Sequence, residues 1–71
     1  MKNLTAREKK ILDMIAFGHT SSTMAKALRI SPHTVENHRR SLLVKFDARN
    51  SADLIRKAIQ KRFLMVKTGN K

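Results

Sequence analysis

Cysteine is missing from all 71 residues of the chain, which excludes disulfides and thiolate metal sites. Tryptophan and tyrosine are missing too, and only three phenylalanines occur: Phe17, Phe46 and Phe63. A stacking platform for single-stranded nucleic acid needs exposed aromatic rings, so that class of binder is not expected. With one proline, two glycines and no period-2 apolar run, the chain is expected to be all helical. It holds no run of about 18 apolar residues, so no membrane-spanning helix is expected. The N-terminus lacks the apolar stretch of a secretory signal, and the expected location is the cytoplasm. Acids are scarce: five Asp plus Glu stand against 16 Lys plus Arg, a formal net charge of +11. A domain this basic attracts nucleic acid or an anionic membrane surface. So short a chain makes one domain with a small core, and help from a second copy is expected.

What is present reads as four helices. "LTAREKKILDMIAFG" opens with a capping box, Thr5 as N-cap and Glu8 at the third helical position. Ile11, Leu12 and Ile15 form an apolar stripe behind it, and Gly18 supplies a left-handed stop. The first helix is expected over 6–17, with Glu8 and Asp13 facing solvent. "HTSSTMAKALRIS" gives a short second helix capped by Thr20. Met24, Ala25 and Leu28 make its buried side, while Ser21, Ser22 and Thr23 fill its first turn. After a break at 29–31, Ser31 caps a third helix with Pro32 at its first position, where a missing N–H does no harm. That helix is expected over 32–46. Asn50 caps a fourth, with Asp53 completing a second box-like pair, and it should run to about 64. The domain is placed at 1–65, its helix-turn-helix at about 19–40, and a flexible tail at 66–71.

On a wheel of about 100° per residue, the third helix sorts cleanly. Val35, Leu42 and Phe46 centre the apolar arc, flanked by Arg39 and Leu43. His33, Glu36, Asn37 and Arg40 gather on the opposite side, near the N-terminus. A short helix, a tight turn and a longer helix with such a face make a helix-turn-helix, whose second helix enters the DNA major groove. Arg can grip guanine, Asn can grip adenine, and Glu can accept from cytosine. The expected base readers are therefore Glu36, Asn37, Arg40 and His33.

These residues also resemble the LuxR-type (GerE-like) DNA-binding domain of bacterial transcription regulators. The resemblance rests on "LTAREKKIL", Gly18, "MAKALRISPHTVENHRRSLLVKF" and "ARN", and it covers about 4–64. It implies a four-helix fold with a central helix-turn-helix and a dimerising fourth helix. It places the base-reading sites on Glu36, Asn37 and Arg40, as the wheel does. It implies backbone contacts at Thr34, His38 and Lys45, and at Thr20, Ser21 and Ser22, where small donors suit phosphates. The chain departs from the family pattern at Glu36, where Lys or Arg is frequent, and at Thr23, Met24 and Arg29.

Other chemistries find little support. His33 and His38 are five apart and share no helix face, so neither metal nor cofactor is expected. No nucleophile sits beside a base, so an enzyme is not expected. The run "KAIQKR" fits a packed helix better than a membrane-surface one. On the fourth helix, apolar residues spread over about half the wheel, more than a small domain covers. Leu54 and Ala58 are assigned to the core, and Ala52, Ile55 and Ile59 to a dimer interface. The expectation is an all-α, four-helix, sequence-specific regulator of double-stranded DNA, a homodimer on an inverted repeat. RNA polymerase is a further candidate partner. Two readings compete: a sigma-factor region-four-like module, and an anti-activator that pairs with a longer relative.

Overall fold

The computed structural model describes residues 4–64 and contains four helices: α1 (Ala6–Ala16), α2 (Ser21–Leu28), α3 (Pro32–Lys45) and α4 (Ser51–Gln60). The residues expected to form a flexible tail lie outside the described range. α3 is the hub, packing against α1, α2 and α4, and α4 also meets α1. The core is one apolar cluster in which Ile11, Leu12, Met24, Val35, Leu42, Leu54 and Ala58 have no solvent exposure. Val35, Leu42 and Phe46 face inward as their spacing predicts.

Each helix starts with a side chain that accepts from the N–H three residues on. The caps are Thr5, Thr20, Ser31 and Asn50, each with extended backbone, so one orphan donor per helix is satisfied. The first cap is a complete box: the Glu8 N–H donates to Thr5 Oγ1, and the Thr5 N–H donates to Glu8 Oε1, both at 3.0 Å. The pair at α4 is displaced by one residue. The Asp53 N–H donates to Asn50 Oδ1 at 2.9 Å, but Asp53 Oδ2 accepts from the Arg49 N–H at 3.1 Å.

The helix ends share one geometry. A residue in the left-handed region follows each helix: Gly18 (φ 90°), Arg29 (58°), Asp47 (53°) and Arg62 (65°). At all four its N–H reaches back three residues and the next N–H reaches back five, as in His19 to Met14 O at 3.1 Å and Ala48 to Leu43 O at 2.8 Å. This is the Schellman stop. It corrects the expected length of the fourth helix, which ends at Gln60 and not near residue 64. The chain turns at Arg62, Phe63 N–H bonds Ala58 O at 2.8 Å, and the Phe63 ring meets Phe46 edge-on with centroids 5.4 Å apart.

Three of these stops are built on residues with a Cβ, which is strained there. Arg29→Gly is therefore expected to stabilise the domain by about 0.5–1 kcal/mol, after allowing for glycine's freer unfolded chain. Thermal denaturation should show a melting point a few degrees higher. An unchanged or lower value would mean that the Arg29 side chain contributes more than its backbone strain removes.

Candidate nucleic-acid interface

α2 and α3 meet across the three-residue turn Arg29–Ser31, and Met24, Ala25 and Val35 are buried there. That packing buries one face of α3 and leaves the opposite face outward. His33, Asn37 and Arg40 are exposed. They follow one another at i, i+4 and i+7, so they form a single stripe. None of the three side chains makes a hydrogen bond or ion pair among the described residues, so their donors and acceptors face solvent uncommitted. Val44, one turn further along the same stripe, is 75% exposed. The wheel grouped the polar residues and passed over this apolar continuation.

Glu36 differs from its neighbours. Its Oε2 accepts a hydrogen bond from the Ser21 hydroxyl, and its Oε1 lies 3.6 Å from Arg39 Nε. Arg39 in turn donates from Nη1 to Ser51 Oγ at 2.6 Å. The sequence placed Arg39 on the edge of the apolar arc and gave it no task.

The small donors expected to meet phosphates lie at two helix starts. Thr20 Oγ1 accepts from the Thr23 N–H at 3.2 Å, Ser22 is exposed, and Ser21 is half-buried against Glu36. At α3, Ser31 Oγ accepts from the Thr34 N–H at 3.1 Å and lies 2.9 Å from Thr34 Oγ1. His38 is half-buried on the flank of α3. Lys45 sits at the far end of that helix with Nζ 2.6 Å from Glu8 Oε1. The structure thus joins the start of α2 to Glu36 through Ser21, with Lys45 set against Glu8 of α1.

Glu8 corrects another expectation. It does not face solvent but is 5% exposed, between α1 and α3. Its position explains this: Glu8, Ile11, Leu12 and Ile15 form one i, i+3, i+4, i+7 stripe, so the acid heads the buried face. Besides the cap it accepts from Ser41 Oγ at 2.8 Å and from Lys45 Nζ at 2.6 Å. Burial alone would raise its carboxyl. The Lys45 ammonium, the Thr5 N–H and the Ser41 hydroxyl outweigh that and bring the pKa from 4.5 to about 2. Asp13 is half-buried and pairs with Lys9 at 2.6 Å. Asp53 is also held near 2, chiefly by the Arg56 hydrogen bond and the Arg49 N–H, against the opposing effect of burial.

A family model described as "Bacterial regulatory proteins, luxR family" matches residues 2–58. The chain belongs to this family. Among curated LuxR-type relatives, "Uncharacterized response regulatory protein YgeK" of Escherichia coli is 40% identical over 57 residues, covering 80% of this chain and 39% of that protein. "Transcriptional regulatory protein FixJ" of Rhizobium meliloti is 34% identical over 59 residues, covering 83% and 29%. Two solved structures superpose closely. The response regulator ChrA of a heme-sensing two-component system has a TM-score of 0.85 and 31% identity, covering 90% of this chain and 32% of that one. The Vibrio cholera VqmA–ligand–DNA complex has a TM-score of 0.84 and 33% identity, covering 93% and 29%. The LuxR-family chain thus spans less than two-fifths of the length of these relatives. It carries a helix-turn-helix domain of DNA-binding transcription regulation, in a family whose members are generally not enzymes. No helix among the described residues is long and apolar enough to cross a membrane.

Proposed function

We propose that this LuxR-family domain reads double-stranded DNA as a two-fold dimer on an inverted repeat, with α3 in the major groove. The observation that supports this most directly is the exposed stripe His33–Asn37–Arg40, whose side chains are uncommitted inside the domain. Asn37 fits adenine N6 and N7, Arg40 fits guanine O6 and N7, and His33 lies at the leading end of the helix. Thr20, Ser22, Thr34 and His38 are the proposed phosphate contacts. Ser21 and Lys45 belong to the same set, although each also holds a partner within the domain. The net charge of +11 supplies a sequence-independent attraction that weakens steeply with salt. Ala52, Ile55 and Ile59 on α4 are the proposed dimer contacts, and RNA polymerase is a proposed partner of the bound regulator. The bacterial cytoplasm, at the nucleoid, is the setting this reading implies.

Selection of bound sites from a random duplex pool tests the reading. A palindromic preference supports it, and recovery of no preferred sequence overturns it. On the selected site Arg40→Ala should weaken binding by about 1–3 kcal/mol and relax preference at one base position. Equal weakening on every sequence would make Arg40 a phosphate contact.

A further inference from the structure

Glu36 is the acid on a DNA-facing helix of a strongly basic chain, and its carboxylate is engaged on both sides. Ser21, the first residue of α2, donates its hydroxyl to Oε2. Arg39 Nε approaches Oε1 at 3.6 Å, and Arg39 Nη1 donates to Ser51 Oγ, the first residue of α4, at 2.6 Å. The contacts form a continuous polar chain from the start of α2, through two residues of α3, to the start of α4. To accept a hydrogen bond from cytosine N4, the carboxylate would have to share oxygens already turned towards Ser21 and Arg39.

We propose that Glu36 is a positioning residue for sequence recognition: through Ser21 and Arg39 it ties the first turns of α2 and α4 to the recognition helix, and so fixes how Asn37 and Arg40 meet the bases. The inference rests on α3 being the recognition helix. Asn37 is adjacent to Glu36 and Arg40 is one turn beyond, so a shift of this part of α3 moves both. Helix angle matters because a bidentate grip on a base edge tolerates little misplacement. Partly exposed ion pairs add little to stability. The effect of Glu36 therefore falls on discrimination between DNA sequences rather than on folding.

The test uses the site selected by the wild-type chain, its single-base variants and an unrelated duplex. Binding is measured for wild type, Glu36→Ala, Glu36→Gln, Ser21→Ala and the Ser21→Ala/Glu36→Ala double variant. Alanine variants of Asn37 and Arg40 mark the base pairs those residues read. Glu36→Ala should lower the preference for the selected site about tenfold, a coupling ordinary for contacting residues. The loss should spread over both the Asn37 and the Arg40 base pairs, with the melting point nearly unchanged. Glu36→Gln, whose amide oxygen can still accept from Ser21, should keep most of the preference. In preference between duplexes the double variant should be no worse than Glu36→Ala alone, while the loss of Ser21 as a phosphate contact weakens every duplex alike. Loss at one base pair alone would make Glu36 a direct reader and overturn the proposal. So would tighter binding to every duplex with an unchanged preference, or additive effects of the Ser21 and Glu36 substitutions. A wild-type chain that selects no site would fail earlier, at the reading of α3 itself.

Discussion

Glu8→Ala is expected to remove a large share of the domain's stability. The substitution deletes one side of the capping box, the acceptor for Ser41 Oγ and the carboxylate 2.6 Å from Lys45 Nζ. Losing the reciprocal half of the box costs up to about 1 kcal/mol, since Thr5 still caps the residue 8 N–H, and a charge-assisted hydrogen bond in a protected site costs about 1.5–3. The sum, about 2–4 kcal/mol, is a large share of the total for a chain this size, which at about 0.05–0.15 kcal/mol per residue is several kcal/mol. The melting point should fall by about 15 °C or more. Glu8→Gln keeps one acceptor oxygen for the Thr5 N–H, turns the oxygen that faces Ser41 into an NH2 that can donate to that hydroxyl instead, and loses the charge, so it should fall by about half as much. A melting point for Glu8→Ala within a few degrees of wild type would show that the α1–α3 network contributes little.

The same carboxyl makes stability depend on pH. Its pKa is lower in the folded chain, about 2 against an ordinary 4.5, and Asp53 moves in the same direction, about 2 against 3.8. A depressed acid stabilises the fold fully above its unfolded pKa and loses that contribution as protons bind on the way down. Stability should therefore hold near neutral pH and decline from about 4.5 towards 2. Glu8→Gln should flatten this acid limb, leaving the part due to Asp53. Denaturant midpoints measured across that range would show it, and an unaltered limb in Glu8→Gln would assign the acid sensitivity elsewhere.

Helix starts were legible because a cap is a local device. Thr5, Thr20, Ser31 and Asn50 each bond an N–H three residues away, and the residue types that do this are few. The first three helix ends were legible to within a residue, and only the end of α4 was misjudged. Gly18 announces its left-handed turn, whereas Asp47 and Arg62 adopt one without being glycine. The turn at Arg62 accompanies the packing of Phe63 on Phe46, seventeen positions earlier in the chain, and such a contact leaves no local trace. Glu8 shows the same limit. Its stripe with Ile11, Leu12 and Ile15 signalled burial, but a charged residue reads as exposed until its partner Lys45, 37 residues away, is in place. The exposed grouping of His33, Asn37 and Arg40 was legible because one helix carries all three, and the helical period alone sets them on one face. The engagement of Glu36 was out of reach, since it depends on how α2 docks on α3.

Ile59→Glu is expected to abolish tight binding to a full inverted repeat while leaving the domain folded. On α4, Leu54 and Ala58 are fully buried and Ile55 packs on the edge of the core, so substitutions there would mix folding with assembly. Ile59 lies on the outer stripe with Ala52 and Ile55, half-buried and outside the core cluster. In a two-fold interface the same patch meets itself. A glutamate at Ile59 then sets two like charges against each other across the axis. A short helix buries little area, so the dimer should be weak without DNA and should show itself chiefly as avidity on two half-sites. Loss of that avidity lowers affinity for the full repeat by about a hundredfold or more, while a single half-site binds as before. Circular dichroism should retain the helical signal, and a gel shift on full and half sites should separate the two effects. If the variant unfolds, Ile59 belongs to the core. If it binds the full repeat as tightly as wild type, the two copies meet through another surface or bind independently.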